Sequence, residues 1–252
     1  MKHDFEDIEV KTNAPELLEE ALRKKRKKCM IGTGSMTDPY LPLEKQLGYT
    51  RKCLAIIDKY GFGLLILTKS NLILRDLDLL VSINQKTKCV VAMTLTTYDE
   101  VLCKKIEPNV ATTRERFEVL KIMRDNGIPT VVWLSPILPS INDTEENIRG
   151  ILSFCVEAQV KAVLCFGMGL TLREGNREYF YANLDRLFPG LKEKYIRQFG
   201  NAYQVVSPNN NELMKIAYDV CKKNNILLGT DEVFQYLHEY EAKNVSGQLR
   251  LF

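Results

Sequence analysis

Five short apolar runs, rich in β-branched residues, recur along the chain, and each stops abruptly at small polar or charged residues. Cys29-Met30-Ile31 gives way to Gly32-Thr33-Gly34-Ser35-Met36-Thr37-Asp38, and Phe62 to Leu67 gives way to Thr68-Lys69-Ser70. Cys89 to Met93 ends at Thr94-Leu95-Thr96-Thr97, Thr130 to Leu134 at Ser135-Pro136, and Ala162 to Phe166 at Gly167-Met168-Gly169. Continuous apolar runs of this length mark strands buried on both faces of a parallel sheet. Parallel α/β folds place their chemistry at the carboxyl ends of such strands, so the five endings predict one shared pocket.

Between the runs, helical periodicity predicts helices over Leu43 to Tyr60, Asp76 to Asn84, Thr113 to Asn126 and Thr144 to Ala158. Thr112-Thr113-Arg114-Glu115 fits a capping box, and Asn142-Asp143-Thr144-Glu145 fits one with asparagine as the cap. Gly61 and Gly127 stand where helices stop. An earlier helix is expected to start near Ala14-Pro15 under an Asn13 cap. Glu16, Glu19 and Glu20 lie near its positive end, and the basic run Arg23 to Lys28 near its negative end. Tandem βα units follow from this alternation. Beyond Leu170 the rhythm weakens to a helix over Tyr179 to Phe188, a strand at Tyr203 to Val206, a helix over Asn211 to Lys223, a strand at Ile226 to Leu228 and a helix over Val233 to Glu241.

Composition narrows the chemistry. The 252 residues suit one α/β domain spanning 1–252, with 200–252 as a carboxyl-terminal extension. A net charge of +3 admits an anionic partner but is far from a dedicated nucleic-acid module. No apolar run is long enough to span a bilayer, and Met1 to Asp7 has no signal-peptide character, so no membrane partner and a cytoplasmic location are expected. Seven scattered cysteines show no Cys-x2-Cys or Cys-x3-Cys spacing and read as buried thiols. With only His3 and His238, a Ser-His-Asp triad or histidine metal site has little to build from.

Five segments carry a resemblance: GTGSMTDPYLPLE from Gly32, LTKSNLILRDLDLL from Leu67, MTLTT with IEPNVATTRERFEVL from Met93, GIPTVVWLSPILPSINDTEENI from Gly127 and CFGMGLTLREGNREYF from Cys165. In this order they resemble the spore photoproduct lyase-like branch of the radical S-adenosylmethionine (SAM) enzymes, also described as DNA repair photolyase-like. The resemblance runs through nearly the whole chain. It implies a partial (β/α) barrel with a four-iron four-sulfur cluster and SAM at its strand ends. Reductive SAM cleavage there gives a 5'-deoxyadenosyl radical that acts on substrate.

By this resemblance Thr37 and Asp38 face the methionyl amino group, Lys69 its carboxylate, and Thr94 and Thr96 the ribose; Ser135 joins them from the fourth strand end. The family's Cys-x3-Cys-x2-Cys loop, after its first barrel strand, would lie ahead of Met1, and no cysteine here matches it. The expectation is therefore a barrel without its first βα unit, with no metal ligands and no assignable catalytic residue in this chain. Spore photoproduct lyases carry a hydrogen-donating cysteine just before the hydroxyl-acid pair. Met36 stands there, and a thioether has no S–H to give.

SAM is the expected partner, and DNA or another nucleic acid a candidate. Two alternatives stand beside this expectation. One is a non-catalytic remnant binding nucleotide or nucleic acid through its pocket and the Arg23 to Lys28 face. The other is a barrel enzyme forming a Schiff base on Lys69. Arg173 is read either as an ion-pair partner of Glu174 or as a contact for substrate phosphate.

Overall fold

The computed structural model describes residues 8–243; Met1 to Asp7 and the polar tail lie outside the described residues. All five apolar runs form strands: β1 (Met30–Thr33), β2 (Gly63–Thr68), β3 (Cys89–Thr94), β4 (Thr130–Trp133) and β5 (Ala162–Leu164). They pair in parallel in the order β1-β2-β3-β4-β5. This is the sequential order of a partial (β/α) barrel, in agreement with the expected α/β class. The outer edge of β1 has no strand partner among the described residues.

Helices cover the convex face. They are α1 (Ala14–Lys24), α2 (Glu44–Leu47), α3 (Tyr49–Tyr60), α4 (Leu77–Lys86), α5 (Glu100–Ile106), α6 (Thr113–Asp125) and α7 (Glu145–Glu157). The helix expected over Leu43 to Tyr60 is split at Gly48, whose φ of 63° only glycine adopts readily, and the Glu44 carboxylate then accepts the Tyr49 and Thr50 N–H groups at 3.0 Å each. A 3-10 turn, Asn71–Asp76, precedes α4. The Thr112 capping box is complete: Glu115 N–H donates to Thr112 Oγ1 at 3.3 Å, and Thr112 N–H to Glu115 Oε2 at 2.7 Å.

Two expected caps differ. Asn13 stands at the cap of α1 but its side chain makes no capping bond. Thr144, not Asn142, caps α7 by accepting Asn147 N–H at 3.2 Å. Asn142 is instead buried beneath the strand ends, where its amide has a larger task.

The carboxyl-terminal third adds α8 (Asn176–Leu187), α9 (Leu191–Phe199), α10 (Asn210–Lys223) and α11 (Thr230–His238), with an antiparallel pair of β6 (Gly169–Thr171) and β7 (Gln204–Val206). The strand expected at Ile226 to Leu228 shrinks to one parallel bridge, Leu227 to Ala162. Helix α11 lays Val233 and Leu237 against Val90, Ala92, Val131, Ala162 and Leu164 on the sheet's concave face. Just above them, Trp133, Phe166 and Phe234 form a chain of rings with centroids 5.8 and 6.1 Å apart. No helix among the described residues is long and apolar enough to cross a membrane.

Candidate functional site

The loop after β1 is fastened to the end of β2 by one side chain. Asp38 Oδ1 accepts Tyr40 N–H at 2.8 Å and the Thr68 hydroxyl at 2.6 Å, while its Oδ2 accepts Lys69 N–H at 2.8 Å. A carboxylate offers about four acceptor positions, so one on Oδ2 stays open to a further donor. Close approach here needs Gly34: at φ 98°, a Cβ would stand 1.9 Å from the Leu67 carbonyl oxygen. Thr37 and Met36 are exposed, Met36 at 88%.

Asp38 orders the Lys69 backbone; Glu107 holds its amine. Lys69 Nζ pairs with Glu107 Oε1, and Arg116 donates to Glu107 Oε2 at 2.8 Å. Arg116 is wholly buried, and its remaining donors reach the carbonyls of Ala111 at 2.7 Å and Thr94 at 2.9 Å. Burial pushes the Glu107 carboxyl up, but Lys69 and Arg116 outweigh it and hold the group below the ordinary carboxylate range. The Lys69 side chain keeps 33% of its surface exposed, so it is the member of this trio that an incoming anion can reach.

Thr94 enters through its backbone carbonyl. Thr96 is buried, its hydroxyl 3.4 Å from that of Thr97, and its carbonyl accepts the amides of Asn142 and Asn147 at 2.9 Å each. These asparagines thus pin the loop after β3. The structure brings Asp38, Lys69 and Thr94 into one network over β1 to β3 and sets Thr96 in a second, amide-bonded cluster. Ser135 lies apart, on the wall of a groove.

That groove, of about 1010 Å³, runs from the ends of β4 and β5 beneath the β6–β7 pair and α8. Its exposed rings are Phe166, Tyr179 and Tyr203. Lys105, Arg173 and Arg186 line it, and among the described residues no carboxylate does. Arg173 donates to the Tyr203 hydroxyl at 3.2 Å rather than pairing with Glu174. Ile106 and Pro108 also belong to the wall, while Glu107 between them binds Lys69 and Arg116. One short segment therefore separates the groove from the Lys69 position.

Sequence reasoning missed Glu107, Arg116, Asn142 and Asn147. The available signal was an arginine at an apolar-facing position of α6, which when buried requires a carboxylate or carbonyl partner.

For a SAM-like ligand the donor set fits in kind, with an accessible cation at Lys69 and spare acceptor capacity on Asp38. For an iron-sulfur cluster it does not. Among the described residues, no three His, Cys, Asp or Glu side chains converge to hold a metal. Five of the seven cysteines are buried, and Cys155 and Cys89 are held protonated by that burial, Cys89 pushed up to about 12.

No family model matches the chain. An uncharacterised protein of Mycobacterium tuberculosis is 28% identical over 214 residues, covering 84% of this chain and 62% of that protein. An uncharacterised protein of Methanocaldococcus jannaschii is 37% identical over 138 residues, 55% of this chain and 50% of its own length. The chain thus spans less than two thirds of these relatives. Among solved structures, spore photoproduct lyase complexed with dinucleoside spore photoproduct superposes with a TM-score of 0.60 at 12% identity, covering 88% of this chain and 67% of that one. The likeness establishes a radical SAM-type fold.

Proposed function

We propose that this chain is a radical SAM-type protein that seats SAM across the ends of β1 to β3 and an anionic, ring-bearing substrate in the adjoining groove. The observation that carries this reading is Lys69: a cation released at a buried strand end, its backbone fixed by Asp38 and its amine within reach of solvent. Asp38 Oδ2 would accept a hydrogen bond from the methionyl ammonium with Thr37 beside it, Lys69 would bind the carboxylate, and Thr94 and Thr96 would lie on the ribose side. Ser135 faces the substrate side.

In radical SAM enzymes the bound SAM supplies hydrogen-abstracting radical chemistry through an iron-sulfur cluster. The described residues do not fit that cluster, and no step is assigned to them beyond binding and orienting.

Lys69→Ala is expected to weaken SAM binding by about tenfold to a hundredfold, the equivalent of one charge-assisted hydrogen bond of roughly 1.5–3 kcal/mol. Equilibrium dialysis with labelled SAM reads this directly, and unchanged affinity removes Lys69 from the site.

In the groove, three cations beside exposed rings match the pattern by which single nucleic-acid strands are held. A single-stranded oligonucleotide should bind with an affinity that falls steeply with salt, and Arg173→Glu with Arg186→Glu should lower it about tenfold or more. Salt-independent binding, or none, would leave the substrate assignment without support. DNA repair by this chain would in addition need a hydrogen donor where Met36 stands.

A further inference from the structure

We infer that Glu107 is a built-in competitor for the anion position at Lys69, and that a bound anion displaces it wholly onto Arg116. This rests on the reading that Lys69 meets an anionic ligand group. One carboxylate here serves two cations, so the pair of cations retains capacity for one further anion. The three residues differ in freedom. Arg116 is completely buried and locked by the Thr94 and Ala111 carbonyls; Glu107 is nearly buried; only Lys69 has room to turn.

When an anion takes Lys69, Glu107 therefore keeps its 2.8 Å bond to Arg116 and is not stranded as an unpaired buried charge. Each cation then has its own anion. Asp38, the other carboxylate at this spot, stays with the Tyr40 and Lys69 N–H groups and the Thr68 hydroxyl, and does not take part in the exchange. Ile106 and Pro108, the neighbours of Glu107, form part of the groove wall.

Two variants test this with SAM as the probe. Glu107→Gln removes the competing charge but leaves an amide oxygen for Arg116. Glu107→Asp keeps the charge beside Arg116 but falls one methylene short of Lys69. Both are expected to raise SAM affinity by about three- to tenfold over the parent protein, in the range of releasing one partly exposed ion pair.

Weakened binding in folded Glu107→Asp overturns the inference, because Glu107 would then position Lys69 rather than compete for it. A gain in Glu107→Gln with none in Glu107→Asp also overturns it, since net charge alone would explain the gain. Should Glu107→Gln fail to fold, Glu107→Asp decides by itself. Failure of the underlying reading looks different: Lys69→Ala would bind SAM as the parent does, whatever the Glu107 variants show.

Discussion

Arg116→Met will destabilise the fold by about 3–5 kcal/mol, the range for removing one partner of a buried ion pair. The side chain is completely buried, and all three of its donor nitrogens are engaged, at 2.7, 2.9 and 2.8 Å. Methionine fills much of the volume but leaves the Thr94 and Ala111 carbonyls without donors. It also leaves Glu107 dependent on a lysine that solvent reaches. Urea unfolding at neutral pH measures the loss, and a change below about 1 kcal/mol would show that the trio contributes little.

The same variant has a pH signature. The Glu107 carboxyl is lowered in the folded protein from its ordinary value of 4.5, so its contribution to stability is present above that value. It is lost as pH falls through the lower, folded value. The gap between parent and variant should narrow on acidification below about pH 4.5 and stay constant above it. A gap that stayed constant in acid would assign the effect to packing alone.

Gly34→Ala carries the second large effect, about 3 kcal/mol from a strained left-handed backbone combined with overpacking. Its new Cβ would lie 1.9 Å from the Leu67 carbonyl oxygen, a contact that only movement of the backbone can relieve. That movement lifts the loop away from β2 and pulls Asp38 from Thr68 and Lys69, so ligand affinity should fall together with stability. Gly61→Ala is the control. Its φ is 64°, yet nothing lies within 4 Å of the added atom, and only the conformational strain of roughly 1 kcal/mol applies. Equal melting shifts for the two variants would mean that the loop has room to retreat and that Gly34 does not hold it down.

The five strands were legible because a strand buried on both faces writes itself as an unbroken apolar run, as Cys89 to Met93 does. Helix α6 was legible from Thr112 and Glu115 because a capping box is local. Helix α5 and strand β6 were not: one turns under two times, the other has three residues, and neither is long enough for periodicity to emerge. Asn142 was misread as a cap, since the same amide that can close a helix locally can also reach a carbonyl 46 positions away at Thr96.

At the site, position was readable and partnership was not. Lys69 could be placed at the end of a buried strand from its neighbours alone. That Glu107, 38 residues further on, holds its amine depends on how α5 and the following loop fold back, which no short window records. Asp38 shows the same limit: as an acid before a proline it looked like a turn former or a ligand contact, and in the structure it staples two strand ends.

Trp133 closes β4 with its ring against Phe166, and Phe166 lines the groove. It is also the only tryptophan in the chain. The indole emission of this protein therefore comes from a single point, at the mouth where the concave sheet face meets the groove. Excited where tyrosine does not absorb, the unlabelled protein reports on that mouth, so ligand entry and local loosening there can be followed in real time without attaching a dye.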